Sequence, residues 1–310
     1  MSANPTSHFV VLPNRPIVQE NEEVIYGPFK VHYWEWKGRQ PTILFTHACS
    51  FHGRCYDRVI NEALHGYHVI AIDLRGHGRS QKHPPPYHVR WLGEDILKFI
   101  EVLNLPTDNL IGIAHSISGY AITYAAAIAP KRLFRSLLLF DPGIVPRSSC
   151  GIGDKKVNEL EYILRRKAQW SSIEEMIAKF ETREPFSRWP KDTLRDYCTY
   201  GLDENYKLAC SPAAEHAIYQ SNLRTESNIF PIIEQSKFIH EIPIHVVRTS
   251  LPFSVGQFES SPTEPDLAKW FKKGRDTHLD NVKHFFPMEQ PQVMIDFIRE
   301  MIKENLRSNL

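Results

Sequence analysis

The chain has 310 residues, of which 42% are hydrophobic, and its formal net charge is +1. This length is enough for one large globular unit with a substantial core, and the balanced charge gives no indication of a nucleic-acid or anionic-membrane surface. Five cysteines without a CxxC pair or zinc-ligand spacing favour reduced thiols and predict no metal.

The first predicted elements are β-strands. Residues 23–27 and 29–36 alternate and hold aromatics and valines, so they predict an opening antiparallel hairpin. The run TILFTH at 42–47 is apolar and β-branched, which indicates a buried parallel strand. It breaks into the loop ACSFHG at 48–53, and a first helix is predicted over 56–64.

A second apolar strand ends in a glycine-rich turn. The segment 69–80 reads VIAIDLRGHGRS. Its glycines have G-x-G spacing, without the third glycine or the Gly-Lys-Ser/Thr ending of a phosphate-binding loop. We assign no chemistry to this turn. A helix over 91–103 follows, with its apolar residues on one face.

Ser116 lies between a predicted strand and a predicted helix. The segment NLIGIAH at 109–115 indicates a short buried strand, and an alanine-rich helix follows at 120–129. Ala114 and Ser118, two places before and after the serine, are small, as the strained turn of a nucleophile elbow requires. The pattern is A-x-S-x-S rather than G-x-S-x-G, with a glycine one place late. From these residues alone, an ordinary turn with a capping serine is therefore the alternative.

The segment 143–240 contains helical signals and no strand-like run. One signal is a capping box formed by Ser171 and Glu174. We interpret the segment as a helical lid over the carboxyl edge of the sheet, where ligands bind in open α/β folds. The predicted division is a core of residues 1–142 and 241–310 with a lid of residues 143–240.

Aromatic residues of this lid are candidates for the lining of an apolar substrate tunnel. They are Trp170, Phe186, Trp189, Tyr197, Tyr200 and Tyr219. The alternative is that most of them only hold the lid together. We name Trp170 and Trp189 as candidates for substrate contact, together with His47, whose alternative role is to brace its loop.

His284 lies on the loop before the last predicted helix. An edge strand over 275–282 leads into KHFFPMEQP at 283–291, and apolar residues then recur at helical spacing. The order with the serine first and the histidine last is that of one class of hydrolase.

Four motifs of this chain together resemble those of α/β-hydrolases of the esterase, lipase and epoxide-hydrolase-like superfamily. They are the loop after 42–47, the DLRGHGRS turn, the serine turn and the HFxPMEQP segment. The resemblance implies an eight-stranded, mostly parallel sheet with helices on both faces. We expect no cofactor. The resemblance also implies Ser116 as nucleophile, His284 as general base, and the N–H groups of Ile117 and Cys49 as oxyanion donors. Serine rather than aspartate at the elbow disfavours the dehalogenase and epoxide hydrolase branches.

The third member of a triad is a carboxylate that orients His284. The family usually places it after the strand predicted here at 242–249, but SLPFS at 250–254 contains no acid. We assign the role to Asp141, at the end of the preceding strand, where a minority of hydrolases place it. The alternative is that Asp141 only caps its turn and that a later acid takes the role: Glu259, Glu264 or Asp266. The lack of an acid after this strand, together with the sequence RTSLP at 248–252, makes the chain resemble fungal peroxisomal lipases and toxin-biosynthesis hydrolases.

These residues predict a serine hydrolase that cleaves an ester or thioester of an apolar, small-to-medium acyl compound. Two alternatives stay open. One is different chemistry on the same three residues, such as carbon–carbon bond hydrolysis in a secondary-metabolite pathway. The other is a non-catalytic α/β-hydrolase that acts as a ligand receptor, which the altered elbow and oxyanion loop mildly favour.

The expected partner is a small-molecule substrate, with no nucleic acid and no membrane span, and a homodimer stays open. Residues 1–21 lack the apolar segment of a signal peptide, so a cytoplasmic location is expected. The ending Ser308-Asn309-Leu310 resembles the peroxisomal Ser-Lys-Leu signal, but asparagine removes the lysine charge. We treat this likeness as chance, and a peroxisomal matrix location stays the alternative.

Overall fold

The computed structural model describes residues 4–307, and within them eight strands form one sheet. The strands are β1 (Thr6–Val18), β2 (Val24–Trp36), β3 (Arg39–Thr46), β4 (Tyr67–Ile72), β5 (Leu110–His115), β6 (Ser136–Phe140), β7 (Ile244–Thr249) and β8 (Gly274–Leu279). Their order across the sheet is β1-β2-β4-β3-β5-β6-β7-β8. β2 pairs antiparallel with β1 and β4, and all other pairs are parallel. The predicted eight-stranded, mostly parallel sheet is confirmed.

Helices cover both faces of this sheet. They are α1 (Asp57–Ala63), α2 (Val89–Val102), α3 (Ile117–Ile128), α4 (Ile173–Phe180), α5 (Lys191–Tyr200), α6 (Pro212–Asn222), α7 (Phe230–Gln235), α8 (Phe286–Glu289) and α9 (Pro291–Arg307). Ile43 and Phe45 of β3 pack with α1 and α9 on one face, while Leu44 packs with α2 and α3 on the other. Because β3 is buried on both faces, its sequence is a continuous apolar run rather than an alternation.

The opening hairpin differs from the prediction. Residues 23–27 and 29–36 belong mostly to one strand, β2, and its antiparallel partner β1 lies upstream, in a segment for which we predicted no strand. β1 is the outer strand of the sheet, and six of its 13 residues are exposed. An edge strand tolerates proline, and here Pro13 and Pro16 interrupt the apolar pattern where the register shifts between Leu12 and Arg15.

The segment between β6 and β7 contains α4 to α7 and several short 3₁₀ turns. The predicted capping box is displaced by one residue. Ser172 caps α4 and accepts the N–H of Glu175 at 3.1 Å, while the carboxylate of Glu175 accepts the N–H of Ser171 at 2.7 Å. The division into a core and a lid of residues 143–240 stays a prediction.

Across residues 4–307, no helix is long and apolar enough to cross a membrane. The C-terminal residues Ser308-Asn309-Leu310 lie outside the described residues.

Candidate active site

Ser116 forms the turn between β5 and α3 in a left-handed conformation. Its φ of 61° and ψ of −129° are strained for a residue with a side chain. The Ser118 hydroxyl donates to the carbonyl of His115 at 2.9 Å and accepts the N–H of His115 at 3.2 Å. These bonds hold the turn, so the serine stands at the carboxyl edge of the sheet beside the N-terminus of α3.

The turn after β6 packs directly against this elbow. The carbonyl of Ser116 accepts the N–H of Gly143 at 2.6 Å. A Cβ atom at Gly119 would lie 2.3 Å from Cβ of Pro142, which is closer than such atoms approach. The glycine that stands one place later than in the usual motif is therefore the residue that lets α3 meet the Asp141 turn.

Ser116, His284 and Asp141 form one hydrogen-bonded line. The Oγ of Ser116 lies 2.9 Å from Nε2 of His284, and Nδ1 of His284 lies 2.7 Å from Oδ2 of Asp141. All three are buried, with 4%, 6% and 0% of their surfaces exposed respectively. The geometry allows the imidazole to accept the serine proton while the carboxylate holds its other nitrogen protonated.

Asp141 is held by residues that follow β7. Its Oδ1 accepts the N–H of Thr249 at 3.2 Å, the hydroxyl of Ser261 at 2.5 Å and the hydroxyl of Thr263 at 3.1 Å. Asp141 itself has a φ of 41°, in the left-handed region. These donors replace the water that a fully buried carboxylate loses. The loop after β7 thus contributes hydroxyl groups at the position where an acid was expected.

The three alternative acids have other partners. Glu259 pairs with Lys283 and Arg188, Glu264 accepts the N–H of Arg147, and Asp266 pairs with Lys269. The structure thus brings Asp141 to the ring of His284, and these three carboxylates bond elsewhere.

Each of the two proposed oxyanion donors shares a cavity with the serine. Cys49 and Ser116 line one cavity, and Ile117 and Ser116 line another. Within residues 4–307, neither the N–H of Cys49 nor that of Ile117 donates to a protein acceptor. Burial raises the pKa of the Cys49 thiol well above its usual value, which disfavours a reactive thiolate there.

His47 braces the loop that carries Cys49. Its Nδ1 donates to the carbonyl of Ala48 at 2.8 Å, and its Nε2 accepts the N–H of Leu74 at 2.9 Å. Burial lowers the pKa of His47, consistent with a neutral ring. The ring lines neither cavity described below, so the structure gives it the bracing contacts that were its alternative role.

A buried relay connects the oxyanion loop, the elbow and the histidine loop, and we did not predict it. The Tyr56 hydroxyl accepts the N–H of Ala48 at 3.3 Å and lies 2.8 Å from Nδ1 of His115. Nε2 of His115 lies 3.1 Å from the carbonyl oxygen of His284 and donates to it. Burial lowers the pKa of His115 well below its usual value, so the ring is neutral. A local signal existed, because a histidine directly precedes the serine, but its partners are distant in sequence.

Two cavities meet at Ser116 and His284. The larger has a volume of about 850 Å³ and includes Cys49, Tyr197 and many charged side chains. The smaller has a volume of about 60 Å³, and its lining is mainly apolar: Val145, Leu160, Leu223, Phe253, Val255 and Phe258 are among its residues. A substrate whose reacting bond lies at Ser116 would place one part in each cavity.

The aromatic residues of the predicted lid differ in whether they line a cavity. Trp170, Phe186, Tyr197 and Tyr219 line the larger one. Trp189 lines neither and packs against the rings of Phe51 and Tyr197. In the described part of the chain, no group of three or more His, Cys, Asp or Glu side chains could hold a metal ion.

The chain belongs to the alpha/beta hydrolase family, whose family model matches residues 43–297. It is 25% identical over 179 residues to 3-oxoadipate enol-lactonase 2 of Acinetobacter baylyi, covering 57% of this chain and 64% of that protein. It is 32% identical over 191 residues to the type I acyl-CoA thioesterase mpaH of Penicillium brevicompactum, covering 56% of this chain and 43% of that protein. The matched segments therefore span less than two thirds of these curated relatives.

Solved structures share the fold over nearly the whole chain. The peroxisomal alpha-beta-hydrolase Lpx1 from Saccharomyces cerevisiae superposes with a TM-score of 0.72 at 13% identity, covering 98% of this chain and 90% of that one. E-2-(acetamidomethylene)succinate hydrolase gives a TM-score of 0.68 at 20% identity, covering 96% and 100%. At these identities the likeness shows the fold alone. The family model confirms the predicted superfamily.

Proposed function

We propose that this protein is a serine hydrolase that cleaves an ester or thioester of an apolar acyl compound through an acyl-enzyme. The observation that carries the proposal is the unbroken hydrogen-bonded line from Ser116 through His284 to Asp141, with distances of 2.9 and 2.7 Å. This alignment suits proton transfer to and from the serine, which a ligand receptor does not require.

The reaction follows from the order of these groups. His284 Nε2 accepts the proton of Ser116 as the serine oxygen attacks the acyl carbon, and Asp141 stabilises the imidazolium. The tetrahedral intermediate expels the alcohol or thiol, which takes this proton. A water molecule then gives a proton to His284 and attacks the serine ester, which releases the carboxylic acid and restores the serine.

The oxyanion of both tetrahedral intermediates needs two N–H donors that no protein group already uses. The N–H groups of Cys49 and Ile117 donate to no protein acceptor among residues 4–307, so both are available for this role. The hydrogen bonds that His47 and Tyr56 make with Ala48 support a fixed position for the N–H group of Cys49. Fixed donors stabilise the intermediate without a cost for reorganisation during the reaction.

The smaller cavity supports an apolar acyl group. Its side chains are mainly aliphatic and aromatic, and Ser116 lies at its wall. Its volume of about 60 Å³ suits a short acyl chain rather than a long one. The names of the curated relatives, an enol-lactonase and an acyl-CoA thioesterase, support an ester or thioester as the bond that is cleaved.

We include the segment of residues 143–240 in this proposal as a lid. Trp170, Phe186 and Tyr197 come from it and face the larger cavity. An aromatic cover of this kind excludes water from the serine, which strengthens the electrostatic interactions at the site.

A fluorophosphonate probe and a series of p-nitrophenyl esters test the proposal. The wild-type protein should be labelled at Ser116 and should prefer short acyl chains such as butyrate. Ser116→Ala and His284→Ala should abolish labelling and lower kcat by roughly 10³-fold or more.

Cys49→Ala separates the backbone role of this residue from a role of its thiol. Labelling should persist in this variant, because the N–H group remains. A wild-type protein that neither reacts with the probe nor cleaves any ester or thioester of the series would contradict the proposal and favour the receptor alternative.

A further inference from the structure

The larger cavity has a charged lining, and its cations are not all paired. Its cations are Arg165, Arg166, Lys167, Lys179 and Arg183, and its carboxylates are Glu175, Glu184, Glu215 and Glu259. Every one of these carboxylates pairs with a cation. The pairs are Glu175 with Lys167, Glu184 with Arg188, Glu215 with Arg166, and Glu259 with Arg188 and Lys283.

Three exposed cations of the cavity remain. Arg165, Lys179 and Arg183 form no ion pair with any residue between 4 and 307. Arg188 also pairs with Glu289, so Arg188 and Lys283 offset only two of the three charges of Glu184, Glu259 and Glu289. Against the one carboxylate charge that is left, the three unpaired cations still give a local excess of positive charge at the cavity that holds Ser116. Such an excess attracts an anionic part of a ligand.

The charge and the residue types indicate phosphate. A phosphate monoester carries about −1.5 to −2 charges at pH 7, so it can neutralise more than one cation, whereas a carboxylate carries a single charge. The guanidinium groups of Arg165 and Arg183 can bind two phosphate oxygens at once. A ligand with several phosphates therefore matches the three cations better than a monocarboxylate does.

The two cavities indicate which part of the substrate carries the phosphates. Ser116 and His284 line both, so the acyl carbon lies between them. The smaller cavity, of about 60 Å³, is mainly apolar and takes only a short acyl group. The larger, of about 850 Å³, falls in the upper part of the roughly 300–1,000 Å³ range of ligand pockets, so it can hold a bulky leaving group.

We propose that the substrates are acyl thioesters of a phosphorylated thiol of the coenzyme A type, whose phosphates bind Arg165, Lys179 and Arg183. This inference rests on the proposed function. The carbon–sulfur bond breaks as the tetrahedral intermediate collapses. The thiolate takes the proton held on Nε2 of His284, leaves through the larger cavity as the free thiol, and water hydrolyses the remaining serine ester.

Two thioesters with the same acyl group test this inference. Butyryl-coenzyme A carries phosphates, and butyryl-N-acetylcysteamine carries none. The triple variant Arg165→Gln, Lys179→Gln, Arg183→Gln should raise KM for butyryl-coenzyme A by about tenfold or more. Its kcat/KM for the uncharged thioester should stay within about twofold of the wild-type value. Adenosine 3′,5′-bisphosphate should inhibit the wild-type protein competitively and the triple variant much less.

A matched control removes three positive charges elsewhere. The control is a triple variant with the substitutions Lys131→Gln, Lys272→Gln and Lys303→Gln. It loses the same net charge as the first triple variant, at exposed positions outside both cavities. This variant should keep the wild-type KM for both thioesters. An equal rise of KM for butyryl-coenzyme A in the two triple variants would overturn the site, because it would report only long-range attraction.

The remaining outcomes separate the inference from the proposed function. If the wild-type protein cleaves the uncharged thioester with a better kcat/KM than butyryl-coenzyme A, the inference fails and the serine hydrolase stands. If the triple substitution of Arg165, Lys179 and Arg183 leaves KM for butyryl-coenzyme A unchanged, the inference also fails, and the proposed serine hydrolase still stands. If the protein cleaves neither thioester and no ester, and does not react with the fluorophosphonate probe, the proposed function itself fails.

Discussion

The ring of His115 donates a hydrogen bond to the backbone carbonyl of His284 at 3.1 Å, although 169 positions separate the two residues. His115 directly precedes Ser116, so this bond joins the loop of the proposed base to the elbow of the proposed nucleophile. The Tyr56 hydroxyl extends the connection to Ala48, next to a proposed oxyanion donor. One buried relay thus connects three loops that must keep a common geometry.

Tyr56→Phe should lower kcat by roughly tenfold and leave KM nearly unchanged. The substitution removes the donor to His115 and the acceptor for the Ala48 N–H, and an unsatisfied buried polar group costs about 1–3 kcal/mol. Steady-state kinetics with p-nitrophenyl butyrate measure the effect. Tyr67→Phe is the control, because its hydroxyl bonds Arg39 and lies outside the cavities. Equal losses of kcat in the two variants would show that the relay does not position the site.

Asp141→Asn should lower kcat by roughly 10³–10⁴-fold with little change in secondary structure. Asparagine keeps the size of the side chain, but it cannot stabilise the imidazolium of His284 and can favour the wrong tautomer. Kinetics and circular dichroism measure the two effects. Glu259→Gln and Glu264→Gln should each retain most of the activity. A large loss in Glu259→Gln together with an active Asp141→Asn variant would transfer the role to Glu259.

Gly119→Ala should destabilise the protein by about 1–3 kcal/mol, because the new Cβ would overlap Pro142. The strain would act on the turn that carries Asp141, so kcat should fall as well. Thermal unfolding followed by circular dichroism measures the first effect. Gly27→Ala is a suitable control, since its Cβ would find its nearest neighbour at 3.8 Å. Identical unfolding temperatures for the two variants would contradict this account of the elbow.

Asp196→Asn should stabilise the protein increasingly as the pH rises from about 4 to about 7. Burial raises the pKa of Asp196 from 3.8 to about 7, and the nearby carboxylate of Asp57 adds to this rise. Between these two pH values the folded state binds a proton that the unfolded state has released, so the wild-type stability falls as the pH rises. Unfolding temperatures of both proteins across this range measure the effect. A difference between them that does not vary with pH would contradict the prediction.

Much of the fold could be predicted because it depends on short-range patterns. The apolar run at 42–47, the strand before Ser116 and the alanine-rich helix after it are local features, and each corresponds to an element of the structure. Errors arose where the local pattern was weak. Two prolines, Pro13 and Pro16, interrupt the apolar pattern of the edge strand β1. The capping box lies at Ser172 and Glu175 because either neighbouring serine can begin the same helix.

By itself, the sequence determined the chain order of the serine and the histidine and the elements beside them, because periodicity and small residues at a strained turn are properties of neighbouring residues. Its short motifs also resembled those of one superfamily, and that resemblance implied the sheet. Only the tertiary structure decided which carboxylate meets His284, since Asp141 reaches it from 143 positions away through the adjacency of β6 and β7. It likewise decided the relay through Tyr56 and His115 and the division of the site into two cavities. Such contacts depend on how distant segments pack, and no local pattern encodes that packing.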